Sequence, residues 1–505
     1  MTTATEDYRP PAAAPVLPTP YDIVRALFSF PFELRDYQIQ EVNRLAESDV
    51  RMFDCPGERG IGTHAGHYDE PGTGKTAIAT HHALYRMVRH GVKHWIVLVP
   101  SPDLLVPQWG RWLRSIKHIG TGAPLKVCEY IGPPAKRRHL DLDSDFIVLS
   151  YELFKQDFER LWNHYEFVNV AGCADEAQKL KNYKSQVHKA FYLFFEGRER
   201  QLLTGTPISK PDDAFGLCRL VAPGTYRNFR HFEQLHVLER DEYDKVIAWQ
   251  NLDVLANNMK INASRILRRE VRDQLPAIQY TPLRYDLEPA HQKLYEKLAT
   301  ERLLELEDGV EINAISEGAL YAAAQQIVVN WPYFADDPSK RPRALDIIDE
   351  VMDEIGESKK LAVVAHFIRT NEYLLSQLED KYGAVAIYGN VTARQKQLNL
   401  TRFCHDPSCR LILLQPSAAG VGVDGLQHVC SEMLVLEAPT VAWLLQQTVA
   451  RLDRDGQINP VHCRIAIANK TIQTRMFKNL LANDQLANSV QRGFQDLKDA
   501  ILGAE

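Results

Sequence analysis

Nowhere in its 505 residues does the chain offer the roughly 18 consecutive apolar residues that a membrane-spanning helix requires. The opening MTTATEDYRPPAAAPVLPTP lacks both the basic and the apolar segment of a secretion signal. Its Pro and Ala richness reads instead as a flexible arm over 1–32. Cysteine is scarce and scattered. Eight are present, none forms a Cys-x-x-Cys pair, and Cys404 and Cys409 are the closest two. That spacing excludes a zinc-ribbon framework and suits reduced thiols in the cytosol. Positive charge is in deficit: the net charge is −6. An extensive nonspecific nucleic-acid surface is therefore disfavoured, although a basic groove on an acidic body is compatible with this balance. The clusters Lys136-Arg137-Arg138, Lys179/Lys181/Lys184/Lys189 and Arg265/Arg268/Arg269/Arg272 read, taken singly, as solvated faces. There is no short internal repeat, and no low-complexity tract beyond the arm.

What the chain does contain is an alternation of short apolar runs with helical stretches. The runs are His94–Pro100, Asp145–Ser150, Gln201–Leu203, Leu361–Ala365, Arg410–Leu414 and Met433–Leu436. Continuous apolar strands between helices predict parallel sheets covered on both faces. The runs fall into two groups, and no clear strand stands out between Phe229 and Met352. The expected fold class is therefore α/β, with two parallel-sheet lobes joined by a helical insert. The expected boundaries are 33–225 for the first lobe, 226–354 for the insert and 355–505 for the second lobe with its C-terminal helices. The length accommodates about three domains of ordinary size.

Two motifs carry chemistry. Asp69-Glu70-Pro71-Gly72-Thr73-Gly74-Lys75-Thr76 is a glycine-rich phosphate loop. Its backbone N–H groups can cradle phosphates, Lys75 can reach the β- and γ-phosphates, and the Thr76 hydroxyl can ligate Mg²⁺. About a hundred residues on, an apolar run ends in Asp175-Glu176, followed by Ala177-Gln178. One carboxylate can hold Mg²⁺ and the other can orient water. The two motifs in this order predict hydrolysis of a nucleoside triphosphate.

Further polar clusters follow in a set order: Leu34-Arg35-Asp36-Tyr37-Gln38, Val99-Pro100-Ser101 with Gln108-Trp109, Leu203-Thr204-Gly205-Thr206-Pro207, Ser417 through Asp424, and Gln447 through Gln457. This set resembles the superfamily-two helicases, and within them the Swi/Snf family of double-stranded-DNA translocases. Gln447-x-x-x-Arg451-x-x-Arg454-x-Gly456-Gln457 keeps that family's spacing. Leu267-Arg268-Arg269 and Asn330-Trp331-Pro332-Tyr333 are further matches, and the resemblance spans roughly residues 33 to 480. It implies two RecA-like lobes and ATP with Mg²⁺ as cofactors. It assigns catalysis to Lys75, Asp175, Glu176, Gln178, Gln447, Arg451 and Arg454. Nucleotide binding is assigned to Gln38, Gly72, Thr73, Gly74, Lys75, Thr76, Gly422 and Asp424, with Thr76 and Asp175 on the metal. Thr204 and Thr206 would couple the lobes. Ser101, Gln108, Tyr151, Lys181, Asn182 and Ser417 would contact nucleic acid, most readily duplex DNA. Arg268 and Arg269 can add backbone contacts or join the lobes. Trp331 and Trp443 read as core rather than as base-stacking platforms. Gln178 stands where many family members carry His and is expected to bridge the acidic pair to the second lobe.

The physical logic agrees with the resemblance. No arginine lies inside the first-lobe phosphate motifs, so Arg451 and Arg454 can complete the charge only when the lobes close. Spaced three apart on an expected helix, they would share one face. Three departures stand out. The segment Asp54–His67 replaces the usual apolar strand before the phosphate loop, so that strand is either short and disguised or placed earlier. Cys55, His64 and His67 read as loop residues rather than metal ligands. Asp424 stands in place of the family's Asn. The expected activity is ATP-driven translocation on duplex DNA; the alternatives are a strand-separating DNA or RNA helicase and a catalytically silent nucleic-acid-binding scaffold. No histone-reading, zinc-binding or nuclease segment is recognisable. The expected location is cytoplasmic or nucleoid-associated, with no membrane.

Overall fold

The apolar runs become fully buried strands. The computed structural model describes residues 17–47, 64–208, 210–267, 270–271, 278–296, 314–332, 341–419, 423–439, 442–454 and 456–474. Along these residues the strands are β1 (Phe28–Ser29), β2 (His64–His67), β3 (His94–Val99), β4 (Lys117–His118), β5 (Val127–Tyr130), β6 (Phe146–Ser150), β7 (Val170–Asp175), β8 (Arg200–Leu203), β9 (Val237–Arg240), β10 (Val246–Trp249), β11 (Ala263–Ser264), β12 (Ile278–Tyr285), β13 (Leu361–Val364), β14 (Val385–Ile387), β15 (Leu411–Leu414), β16 (Glu432–Val435) and β17 (Val461–Ala468).

Two parallel sheets result. The first has order β11-β2-β8-β7-β3-β6-β5 and the second β12-β17-β16-β13-β15-β14. Successive side chains alternate between the faces, so each sheet has a core on either side. In the first lobe Ile96, Leu98, Ile147 and Leu149 pack against Phe154, Phe191, Phe194 and Phe195. Their neighbours Trp95, Val97, Phe146 and Val148 face Leu84, Trp109 and Leu113. In the second lobe Leu361, Val363 and Leu413 lie on one side, with Ala362, Val364 and Ile412 on the other. The chain thus forms two RecA-like α/β lobes.

The stretch between Phe229 and Met352, expected to lack strands, holds four among its described residues. β9 and β10 form an antiparallel hairpin, β11 extends the first sheet beside β2, and β12 runs parallel to β17 along eight paired positions, Ile278 to Tyr285. β12 was hidden because it is an edge strand. Only Tyr285 of its eight residues is buried, and Pro282, which edge strands tolerate, interrupts the apolar pattern.

The strand before the phosphate loop is the short, disguised one. β2 reads His-Ala-Gly-His and pairs with β8 from His64 to His67. His64 and His67 therefore lie on a strand and not in a loop, while Cys55 lies outside the described residues. Gly66 belongs here for a steric reason: a Cβ would meet the Tyr68 ring at 2.8 Å and the Ala263 Cβ at 2.9 Å. β2, β8 and β7 are neighbours in the sheet, so the loops at their C-terminal ends converge. Those three loops are the phosphate loop, Thr204–Thr206 and the acidic pair.

Candidate nucleotide site between the lobes

The phosphate loop turns sharply at two glycines, Gly72 (φ 83°) and Gly74 (φ 87°), in the left-handed region that glycine enters without penalty. Gly74 then caps the helix Lys75–His90. A helix N-terminus behind a glycine loop presents free N–H groups to an anion. Lys75 Nζ donates to the carbonyl oxygens of Asp69 (2.7 Å) and Glu70 (3.0 Å), so the loop's own backbone holds the ammonium. Burial lowers the Lys75 pKa, opposed by Asp69, Glu176 and Asp175. Thr73 Oγ1 donates to the Glu70 carbonyl at 2.7 Å. Gln38 is buried. Its Nε2 donates to the Thr73 carbonyl at 3.0 Å and its Oε1 accepts from Arg35 N at 2.9 Å.

Asp175 ends β7, and Glu176 follows with φ 52°, a left-handed conformation unusual for a glutamate. Asp175 Oδ1 accepts from Glu176 N at 3.0 Å, and Oδ2 accepts from Trp109 Nε1 at 2.8 Å. Burial, then the neighbouring Glu176, push the Asp175 pKa up to about 6. Glu176 Oε2 accepts from Gln178 Nε2 at 2.7 Å and from Gln447 Nε2 at 2.9 Å. Gln178 Oε1 in turn accepts from Thr204 Oγ1 at 2.7 Å, and Thr206 N donates back to Thr204 Oγ1 at 3.1 Å. The bridge from the acidic pair to the second lobe is therefore made by Gln447. Gln178, expected to make it, sits in the short 3-10 turn Ala177–Leu180 and ties Glu176 to Thr204, just past the end of β8, within the first lobe.

One cavity of about 710 Å³ has walls from both lobes. Gln38, Gly72, Gly74, Lys75, Thr76, Asp175, Glu176 and Thr204 line it on one side. Asp424, Gln447, Arg451 and Arg454 line it on the other. The two arginines are not on a helix as expected. The helix Ala442–Val449 ends before them, and short turns, such as Leu452 N to Val449 O at 3.0 Å, bury Leu452 and Asp453. Both guanidinium groups still border the cavity. Burial, then the adjacent Arg454, push the Arg451 pKa down to about 10, which leaves it charged at neutral pH. Arg454 donates to Asp424 Oδ1 at 2.8 Å, so the aspartate that replaces Asn serves as the partner of an arginine. Gly422 lies outside the described residues.

A family model described as the SNF2-related domain matches residues 67–328, just over half of the chain. The chain belongs to the SNF2-related family. An uncharacterized ATP-dependent helicase of Mycoplasma pneumoniae is 23% identical over 421 residues, covering 81% of this chain and 38% of that protein. Protein CHROMATIN REMODELING 5 of Arabidopsis thaliana is 22% identical over 478 residues, covering 88% of this chain and 26% of its own length. The chain thus spans well under half of the length of either relative. The solved SWI2/SNF2 ATPase core of Sulfolobus solfataricus in complex with dsDNA aligns with 18% identity and a TM-score of 0.41, over 94% of this chain and 95% of that one.

The oxygen donors of this SNF2-related chain fit the metal expected with ATP. The Thr76 hydroxyl and the Asp175 carboxylate border the same cavity as the phosphate loop. Mg²⁺ bound through phosphates needs only one or two protein oxygens. No group of three or more metal-ligating side chains occurs among the described residues, so such a site would depend on the nucleotide.

The expected nucleic-acid residues do not all gather on one surface. Ser101 is half-buried in the segment that leads into the helix Leu105–Ser115, while Asn182 and Ser417 are exposed. Lys181 is held by Asp213 at 2.8 Å. Gln108 borders the nucleotide cavity. Tyr151, expected to contact nucleic acid, is instead buried and its hydroxyl donates to the Asp175 carbonyl at 2.7 Å, because it opens the helix Tyr151–Gln156, which packs against β6 and β3. Trp331 is buried and stacked on His291, with ring centroids 4.6 Å apart. Arg268, Arg269 and Tyr333 lie outside the described residues, and nothing is described of the Trp443 side chain. Among the described residues no helix is long and apolar enough to cross a membrane.

Two supporting residues escaped the sequence. Arg265, counted among solvated arginines, donates to the carbonyls of Tyr68 and Gly205 and so ties the phosphate loop to the Thr204 loop. Trp109 stands in its motif with no role that the sequence assigns. An aromatic in a helix signals core, and only its hydrogen bond to Asp175 distinguishes it.

Proposed function

We propose that this chain is an ATP- and Mg²⁺-dependent translocase acting on double-stranded DNA, which couples hydrolysis to lobe movement and remodels DNA or protein–DNA complexes. One observation carries the reading: the phosphate loop, the acidic pair and two second-lobe arginines border a single cavity, with Gln447 bonded to Glu176 across the lobes. In this reading Lys75 and the N–H groups of the Gly72–Thr76 turn hold the phosphates. Thr76 and Asp175 hold Mg²⁺, which supplies charge neutralisation at the β- and γ-phosphates when bound. Glu176 orients the attacking water and accepts its proton. Arg451 and Arg454 face the charge that develops on the transferred phosphoryl group. Because those arginines and Gln447 belong to the second lobe, hydrolysis follows lobe closure, and the cycle becomes relative motion. Ser101, Lys181, Asn182 and Ser417 supply hydroxyl, ammonium and amide groups suited to phosphate contacts without sequence readout.

The test compares ATPase rates with duplex DNA, single-stranded DNA, branched DNA and RNA, alongside triplex-displacement and strand-displacement assays. Stimulation by duplex DNA with triplex displacement supports the reading. Strand displacement with single-strand stimulation would replace it by a strand-separating helicase, and absent turnover by a silent scaffold.

A further inference from the structure

Trp109 adds a polar link between the helix Leu105–Ser115 and the acidic pair at the end of β7. Its indole N–H donates to Asp175 Oδ2 at 2.8 Å, while the other carboxylate oxygen is held by Glu176 N at 3.0 Å. Each oxygen thus takes one hydrogen bond from the protein, and the two donors come from different elements. Two such bonds fix the carboxylate's torsion, and a bond to a charged acceptor is among the stronger ones. Trp109 itself is 4% exposed and wedged among Val97, Leu105, Leu113 and Cys173. Its ring cannot re-aim without moving the helix Leu105–Ser115.

That helix grows directly from the Ser101 segment. Leu105 N donates to the Ser101 carbonyl at 3.2 Å, and Gln108 N to the Leu104 carbonyl at 3.3 Å. A displacement at Ser101 is therefore carried into the helix and to the indole. Ser101 is the group suited to nucleic-acid phosphate at one end of this path, and Asp175 the metal-holding carboxylate at the other.

We propose that Trp109 is a positioning residue that sets the Asp175 carboxylate for Mg²⁺ and transmits nucleic-acid contact at the Ser101 segment to it. The proposal rests on the translocase reading above. A purely structural tryptophan would need only an acceptor for its N–H, and any change to it would act through stability. A positioning tryptophan changes the metal requirement at unchanged stability.

The experiment uses the full chain with Trp109→Phe, which keeps the ring and removes the donor, and Trp109→Met, which fills the space with a flexible apolar chain. Affinity for a fluorescent ATP analogue is measured with and without Mg²⁺, and ATPase activity across a Mg²⁺ titration with and without duplex DNA. Melting temperatures identify the variants that fold. Metal-free nucleotide affinity is expected to match wild type, since Lys75 and the glycine turn are untouched. The Mg²⁺-dependent gain in affinity should fall, and the Mg²⁺ concentration for half-maximal turnover should rise, by about 10- to 150-fold, the worth of one hydrogen bond to a charged group. Stimulation by duplex DNA should shrink in parallel. An unchanged Mg²⁺ requirement and unchanged DNA stimulation in a folded variant overturn the role of Trp109. A wild-type chain without Mg²⁺-dependent, DNA-stimulated turnover overturns the functional reading instead. Should neither variant fold, exchange protection of the Trp109 indole N–H in wild type decides: it should rise on adding duplex DNA to the Mg²⁺–nucleotide complex, and no rise overturns the coupling.

Discussion

Replacing Gln447 with Leu removes a hydrogen bond that spans 271 residues of sequence and joins the second lobe to Glu176. The side chain is 3% exposed, and Leu has a similar volume, so packing is kept while the amide is lost. A hydrogen bond to an ionised carboxylate contributes about 1.5–3 kcal/mol. If it holds the closed, hydrolysing arrangement, its loss lowers turnover by about 10- to 150-fold, at 1.36 kcal/mol per decade. Nucleotide affinity should stay at the wild-type level, because the groups that hold the phosphates belong to the first lobe. Gln178→Leu is the control. It removes a bond of 2.7 Å to the same oxygen, but from within the first lobe. Both variants disturb Glu176; only Gln447→Leu should reduce the ratio of DNA-stimulated to basal turnover. Gln447→Glu should reduce it further, since a second carboxylate would face Glu176. The assay is steady-state ATPase with saturating duplex DNA, paired with nucleotide binding at equilibrium. Wild-type stimulation in Gln447→Leu would refute hydrolysis by lobe closure, even with ATPase activity established.

Arg454→Ala should bind nucleotide normally yet lose turnover by about 10³–10⁵, the range of an arginine finger, and lose its response to DNA; DNA-stimulated turnover at the wild-type rate counts against the two-lobe site. Glu176→Gln should keep the shape of the water-orienting residue without its basicity, trapping ATP in a DNA-bound complex. Equal DNA affinity with and without ATP in that variant contradicts this. The pH profile has a definite sign. Asp175 must be ionised to hold Mg²⁺, and burial beside Glu176 raises its pKa to about 6. The kcat/KM at limiting Mg²⁺ should therefore decline as pH falls through about 6, well above the ordinary carboxylate range. A flat profile from neutral pH down to about 5 removes Asp175 from the metal site.

Much of this architecture is legible because it rests on local chemistry. The strands β3, β6, β8, β13, β15 and β16 are short apolar runs that must be buried on both faces, and composition alone reports that. The phosphate loop is legible for a similar reason: Gly72 and Gly74 adopt left-handed backbone that other residues resist, and the Lys-Thr pair follows at fixed spacing. β2 and β12 were not legible in the same way. β2 is buried by its neighbours β8 and β11 and not by its own hydrophobicity. β12 is half-covered at the edge of a sheet whose other strands begin more than 75 residues later. Its parallel pairing with β17 is a long-range event without a local signature.

The sequence by itself determined which side chains are available for phosphate, metal and water chemistry, and the order in which two α/β lobes are built. Only the tertiary structure decided how those side chains are used. It moved Arg451 and Arg454 from an expected helix into a turn, paired Arg454 with Asp424, and buried Tyr151 under the acidic pair. It also gave the inter-lobe bridge to Gln447, with Gln178 turned to Thr204. The physical reason is common to all of these. Spacing along a chain constrains which residues share one helix face or strand end. The partner of a buried polar group is instead chosen among every donor and acceptor that folding brings within hydrogen-bond reach, however distant in sequence.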